Sequence, residues 1–212
     1  MKKIKKYLST KKAELIVKEI VESNGKNKIK LNVGCGTDYK KGWVNIDNNS
    51  DNNIDNNKLD LNWDLRYPLP FPDNSVDYIF NEHFIEHLTV EEGKIAVKDF
   101  MRVLKRGGVL RMATPDLAFI VEKYKTVSVK DDQMLKKFGL DFVKTNAERI
   151  NISFSWWGHK WLYDWEELER RMKEAGINKK QMQRSNLRKS KYKELCNLET
   201  RDESRLIIEI TK

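Results

Sequence analysis

Three groups of residues in this chain have types and spacings that can carry chemistry. The first is Leu31-Asn32-Val33-Gly34-Cys35-Gly36-Thr37. Two glycines one residue apart, directly after a short apolar run, let the backbone bend sharply and approach a ligand with no Cβ in the way. A nucleotide-like ligand is the usual occupant of such a turn, and a purely structural tight turn is the other reading. The GxGxxG pattern that cradles a pyrophosphate needs a third glycine at position 39, where Tyr39 stands, so the fingerprint of a dinucleotide such as NAD is incomplete. The second group is Asp47, closing the run Trp43-Val44-Asn45-Ile46-Asp47. A carboxylate at a strand end beside a glycine turn can accept both hydroxyls of a ribose. The third is the histidines. His83 and His87 flank Glu86 at i, i+4, a spacing compatible with a metal on a helix, but histidines at 83, 87 and 159 do not make a ligand set by spacing, and no metal is expected. His159 lies in Trp156-Trp157-Gly158-His159-Lys160-Trp161. It offers either a base with a pKa near neutrality or an ordinary hydrogen-bonded member of an aromatic packing cluster.

These groups need a scaffold, and the hydropathy pattern supplies it. Residues 1–24 read as a basic amphipathic helix, with Leu8, Ala13, Leu15, Ile16, Ile20 and Val21 near helical spacing, ended by Asn24-Gly25. Short strands are expected at 29–33, 43–47, 59–64, 76–80 and 109–113. Helices are expected at 90–104, 117–124, 133–143 and 165–175, the last capped by Gly176. Asn48 to Asn57, dominated by Asn and Asp, reads as loop. Pro68, Pro70 and Pro72 forbid regular structure around them. A weak strand at 179–184 and a good one at 205–211 complete the chain. Strand–helix alternation predicts a mostly parallel sheet covered by helices.

The chain has 212 residues, 39% hydrophobic and 34% charged, which suits one domain with one substantial core. Its six Trp and 10% aromatic content set it apart from disordered chains. No apolar run reaches the length of a membrane span. The lysines of Met1 to Thr10 lead into no apolar segment, so no signal peptide is visible. Cys35 and Cys196 have no CxxC partner, which argues against a disulfide scaffold and a cysteine zinc site and for a reducing, cytoplasmic setting. The net charge of +9 admits nucleic acid or phosphorylated partners. The lysines are spread along the whole chain, however, so nucleic acid is not the favoured partner. No GxxxxGK[ST] run is present, which argues against P-loop hydrolysis.

With Asp64-Leu65-Arg66-Tyr67-Pro68-Leu69-Pro70-Phe71-Pro72-Asp73-Asn74-Ser75-Val76-Asp77 the sequence resembles the class I S-adenosylmethionine-dependent methyltransferases, in particular the type 11 group. The resemblance rests on LNVGCGTD (31–38), GWVNID (42–47), DLRYPLPFPDNSVDYIF (64–80), HFIEHL (83–88) and RVLKRGGVLRMATPDL (102–117), in that order. HKWLYDWEELERRMKEAGI (159–177) also looks like a segment of that group. It implies a Rossmann-like, seven-stranded, mostly parallel sheet with helices on both faces and the last strand antiparallel, built as a single domain over 1–212, with residues 118–162 as a helical and aromatic insertion over the acceptor site. It implies S-adenosyl-L-methionine as cofactor. By position, Asn32, Gly34, Cys35 and Gly36 resemble the loop under the methionine part, Asp47 the ribose-binding acid, and Asp64 with Leu65 the adenine-facing pair. Asn81 and His83 fall where the family faces the cofactor's amino-acid end, and His87 either shapes that pocket or packs. The Asn-rich stretch after Asp47 departs from the family's usual helix. Asn81-Glu82-His83-Phe84 lacks the Asn-Pro-Pro-Tyr of exocyclic-amine methylases. The expected activity is methyl transfer to an oxygen of a small or glycan-like acceptor with His159 as base. RNA methylation and a nicotinamide-dependent oxidoreductase stay as alternatives.

Overall fold

The structure, a computed structural model, describes residues 2–25, 27–48, 55 and 58–212, and within the first helix the side chains of 10–23. Most of the expected loop at 48–57, and the side chain of Leu8, lie outside the described residues.

Among the described residues one sheet is formed by β1 (Lys30–Val33), β2 (Val44–Asp47), β3 (Leu61–Asn62), β4 (Val76–Glu82), β5 (Leu104–Thr114), β6 (Met182–Arg184) and β7 (Leu206–Thr211), in the order β3-β2-β1-β4-β5-β7-β6. β1 to β5 run parallel, and β7 lies antiparallel between β5 and β6. The order reverses at β1, whose neighbours are β2 and β4. That switch point opens a crevice at the carboxyl ends of the strands. The central strands are buried on both faces: Leu31, Ile46, Ile79, Leu110 and Ile208 are fully enclosed, which explains their near-continuous apolar runs.

On one face lie α1 (Lys2–Asn24), α2 (Val90–Val103) and α6 (Trp165–Glu174). Thr89 and Glu92 form a capping box that starts α2. Its buried Ala96, Val97, Phe100 and Val103 join Leu168 and Met172 of α6 in one core. On the other face Trp43, Tyr78, Phe80 and Val109 are covered by Leu195 of the 3-10 turn Lys193–Leu195. Three short helices, α3 (Leu117–Thr126), α4 (Gln133–Lys137) and α5 (Asn146–Ser155), follow β5. Leu135, Leu140, Val143 and Ile152 give this segment a small core of its own.

Four expectations are corrected. The third strand shrinks to Leu61–Asn62. The fifth begins at Leu104 rather than 109, because Gly107 N–H and Gly108 C=O are both paired with Lys212 (3.0 Å each) and the two glycines extend the ladder. The helix expected at 133–143 stops at Lys137, followed by Gly139 at φ +63°. In α1, Leu15 is 63% exposed and Val17 takes the buried position beside Ala13, so the apolar stripe is narrower than its spacing implied.

Candidate functional site

The glycine turn forms because the chain leaving β1 must reverse beside β2. Gly34 and Cys35 both donate to Ile46 C=O (2.9 and 3.3 Å), and Gly34 holds φ +69°. A Cβ at Gly34 would stand 2.6 Å from the ring of Phe84, so glycine is required twice over, by dihedral and by space. A Cβ at Gly36 (φ +51°) would meet no atom within 4 Å, which leaves that backbone open to a ligand. Asn32 ties the turn from below, donating to Asp38 C=O (2.7 Å) and to Asn45 Oδ1 (3.0 Å).

Asp47, at the end of β2, lies beside this turn as its position implied. Its Oδ2 accepts from Gly36 N–H at 2.7 Å and its Oδ1 from Asn48 N–H at 2.6 Å. Cys35 is buried, and burial, followed by the nearby Asp47 charge, pushes its thiol up to about 12. It is a packed thiol and not a nucleophile. Asp64 grips Arg66 in a two-pronged pair (2.9 and 2.7 Å).

β4 ends in Glu82, whose carboxylate accepts from Thr200 N–H (3.0 Å), Thr200 Oγ1, Arg201 N–H and Ser204 Oγ. His83 follows at φ +52°, a strained conformation for a non-glycine residue. Its Nδ1 is 3.1 Å from Glu86 Oε1, without the geometry of a hydrogen bond. Glu86 is fully buried. Burial opposes its charge, but the neighbouring His83 outweighs that and holds the carboxyl below its usual range. Thr114 Oγ1 donates to its other oxygen at 2.9 Å. The Glu86 carbonyl accepts from Lys160 and Trp161 N–H (2.8 and 3.2 Å), so the HFIEHL and GHKW segments are clasped together. That clasp brings His87 and His159 edge to face, with ring centroids 4.9 Å apart. His159 Nδ1 is 2.6 Å from Ser153 C=O. The carbonyl can only accept, so Nδ1 is the donor and, in the neutral ring, Nε2 is the acceptor.

The glycine turn, Asp47, His83, His87 and His159 share one cavity of about 1000 Å³, while the buried Glu86 is not among its lining residues. Asn32, Gly34, Cys35, Gly36, Asp47, Asp64, Leu65 and His83 line one end, and His87, Trp157 and His159 line the other. Asn81 is not among the lining residues: its side chain is enclosed, and neither of its polar atoms has a partner. Glu82 and Phe138 line the cavity without having been singled out from sequence. The Glu86–Lys160 clasp had no local signal either, because it joins two distant segments.

The methyltransferase domain model matches residues 31–112, the stretch from β1 into β5 that builds the glycine turn, Asp47 and Glu86. Residues 31–112 thus match the type 11 methyltransferase domain. The chain is similar in fold to an S-adenosylmethionine-dependent methyltransferase of Thermotoga maritima (18% identity, 100% of this chain and 95% of that one covered, TM-score 0.54). It is also similar to one of Archaeoglobus fulgidus (13% identity, 96% and 94% covered, TM-score 0.52). A search of curated protein sequences returns no match. The cofactor is therefore S-adenosylmethionine, and the glycine end fits it. Gly36 has open space where a Cβ would stand, and Asp38, Asp47, Asp64 and Glu82 give that end an acidic lining, suited to a sulfonium cation. A dinucleotide fits poorly, since the Gly36 N–H that would hold a pyrophosphate oxygen is taken by Asp47.

Proposed function

We propose that the methyltransferase transfers a methyl group to an oxygen of a small or glycan-like acceptor, and that residues 1–212 work as one domain with 118–162 as the acceptor-side cover. The observation that carries this reading is the single cavity joining the glycine turn and Asp47 to the aromatic end at Trp157 and His159. The bound cofactor supplies an activated methyl on sulfur. The chain's own residues do the rest. Asp47 accepts the ribose hydroxyls, and the Gly34–Gly36 turn lies under the amino-acid end. Asp64 and Leu65 flank the adenine, while Asn32 and His83 support the loop and pocket. Phe138 and Trp157, with ring centroids 6.3 Å apart, present flat apolar faces that suit a sugar or aromatic acceptor and exclude water. His159 Nε2 takes the acceptor hydroxyl's proton, with Nδ1 held on Ser153 C=O.

Titration calorimetry with S-adenosylmethionine, its demethylated product and NAD tests the cofactor assignments, and tight binding of NAD alone would overturn them. Acceptor screening with methyl-labelled cofactor tests the rest. His159→Ala is expected to leave cofactor affinity intact and to slow turnover about 10²-fold; unchanged turnover removes His159 as the base.

A further inference from the structure

We propose that Glu86, His87 and His159 bind a divalent cation of the zinc class at the acceptor end of the cavity. One ligand atom from each residue lies within 4.8 Å of the other two. Zinc–nitrogen and zinc–oxygen bonds of about 2.0–2.2 Å place tetrahedral ligands about 3.3 Å apart, so closure asks for side-chain adjustments near 1.5 Å. Two imidazoles and one carboxylate form the donor set of a catalytic zinc, three protein ligands with the fourth position open. His87 and His159 line the cavity, so that fourth position faces the acceptor.

Three further features are those of a metal site. His159 Nδ1 is spent on Ser153 C=O at 2.6 Å. Metal-bound histidines are commonly oriented in this way, one ring nitrogen on a backbone carbonyl and the other on the ion. Glu86 is fully buried, and its Oε1 lacks a hydrogen-bond partner although it stands 3.1 Å from His83. A buried carboxylate half satisfied in this way gains from a cation. Finally, the two segments are locked by Lys160 and Trp161 N–H on Glu86 C=O, which gives the ligands a rigid base.

The cation site stands on these side chains alone, while its use in catalysis rests on the methyl-transfer reading. With His159 Nε2 on the ion, the ion would take over the proton-removing role that the free imidazole has without it: an acceptor hydroxyl on the open position would lose its proton to solvent near neutrality, as metal-bound water does. The oxygen's electron pair then forms the bond to the incoming methyl carbon as the carbon–sulfur bond breaks and its electrons return to sulfur.

The test is equilibrium dialysis of the chelator-treated full chain against Zn²⁺, with the visible spectrum of Co²⁺ as a second readout. One ion per chain, a tetrahedral Co²⁺ band, and affinity at least tenfold weaker in both Glu86→Gln and His159→Ala are expected. His159 is only half-buried, so His159→Ala serves if Glu86→Gln does not fold. Substoichiometric binding, or affinity unaltered in His159→Ala, overturns the site. S-adenosylmethionine titrated into the same samples separates the two readings. Zinc binding without cofactor binding would sink the methyl-transfer assignments alone, and cofactor binding without zinc would sink the cation site alone.

Discussion

Asp47 serves two ends with one carboxylate. It holds the Gly36 N–H at 2.7 Å, shaping the turn, and it faces the cavity. Asp47→Ala is therefore expected to weaken S-adenosylmethionine by about 2–3 kcal/mol, from lost charge-assisted hydrogen bonds to two hydroxyls. Asp47→Asn, which can still accept from Gly36, should lose less; calorimetry on both variants checks the order. Gly34→Ala sets a backbone test. Left-handed φ costs an L-residue roughly 1–2 kcal/mol, and the added methyl would also press on Phe84 at 2.6 Å. A fall in Tm together with lost cofactor binding is expected. These residues were legible in the sequence because their signal is local: glycines after an apolar run, and an acid at a strand's end. Asn81 carries no such local signal. Its place after an apolar run is legible, but whether a strand residue faces the crevice or the interior depends on pleat phase, and its side chain is buried. Glu86, His87 and His159 meet only because a long segment folds back, and no spacing encodes that.

Elements were legible where their ends carry chemistry. α6 and its Gly176 stop agreed with expectation. α5 was missed although Thr145-Asn146-Ala147-Glu148 is a capping box, a sequence signal hidden by the mixed polarity of the helix. Gly107-Gly108 looks like a break in the sequence, but antiparallel pairing with Lys212 overrides that preference and lengthens β5. The same strand carries the element-scale test. Arg111 is fully buried between Glu199 and Glu209, with further bonds to Ser185 Oγ, Lys189 C=O and Asn186 C=O. Arg111→Met would strand two buried carboxylates and is expected to cost about 3–5 kcal/mol in denaturant unfolding. At the end of β4, burial works against the Glu82 charge, but Ser204, Thr200 and Arg201 outweigh it and hold the carboxyl below its ordinary 4.5. The native state thus releases the proton more readily than the unfolded chain. The stability this contributes is present above pH 4.5 and is lost as pH falls through the depressed value. Glu82→Gln should flatten the stability–pH curve in that acid window.

At the scale of the whole molecule, charge and cavity point in different directions. The chain carries +9, yet four carboxylates, Asp38, Asp47, Asp64 and Glu82, line the glycine end of the cavity beside Arg66. Transfer to a neutral sugar should therefore be nearly insensitive to salt, while an RNA acceptor would bind through phosphates with an affinity falling steeply as salt rises. Initial rates measured across an ionic-strength series on each acceptor class decide between them. Among the described residues no helix is long and apolar enough to cross a membrane. The general architecture was legible from strand–helix alternation, but the small separate core of Leu135, Leu140, Val143 and Ile152 was not, since its residues are scattered among charged ones. The enclosed Cys35 has a consequence of another kind. The protein carries two thiols, and this one is shut inside the glycine turn while Cys196 is partly accessible. A thiol-specific dye should consequently mark the native chain at Cys196 first and reach Cys35 only when the turn opens. The slow phase of labelling then acts as a clock for that local opening. If the turn closes on S-adenosylmethionine, ligand at a hundred times its Kd should slow the clock about a hundredfold, reporting occupancy with no turnover at all.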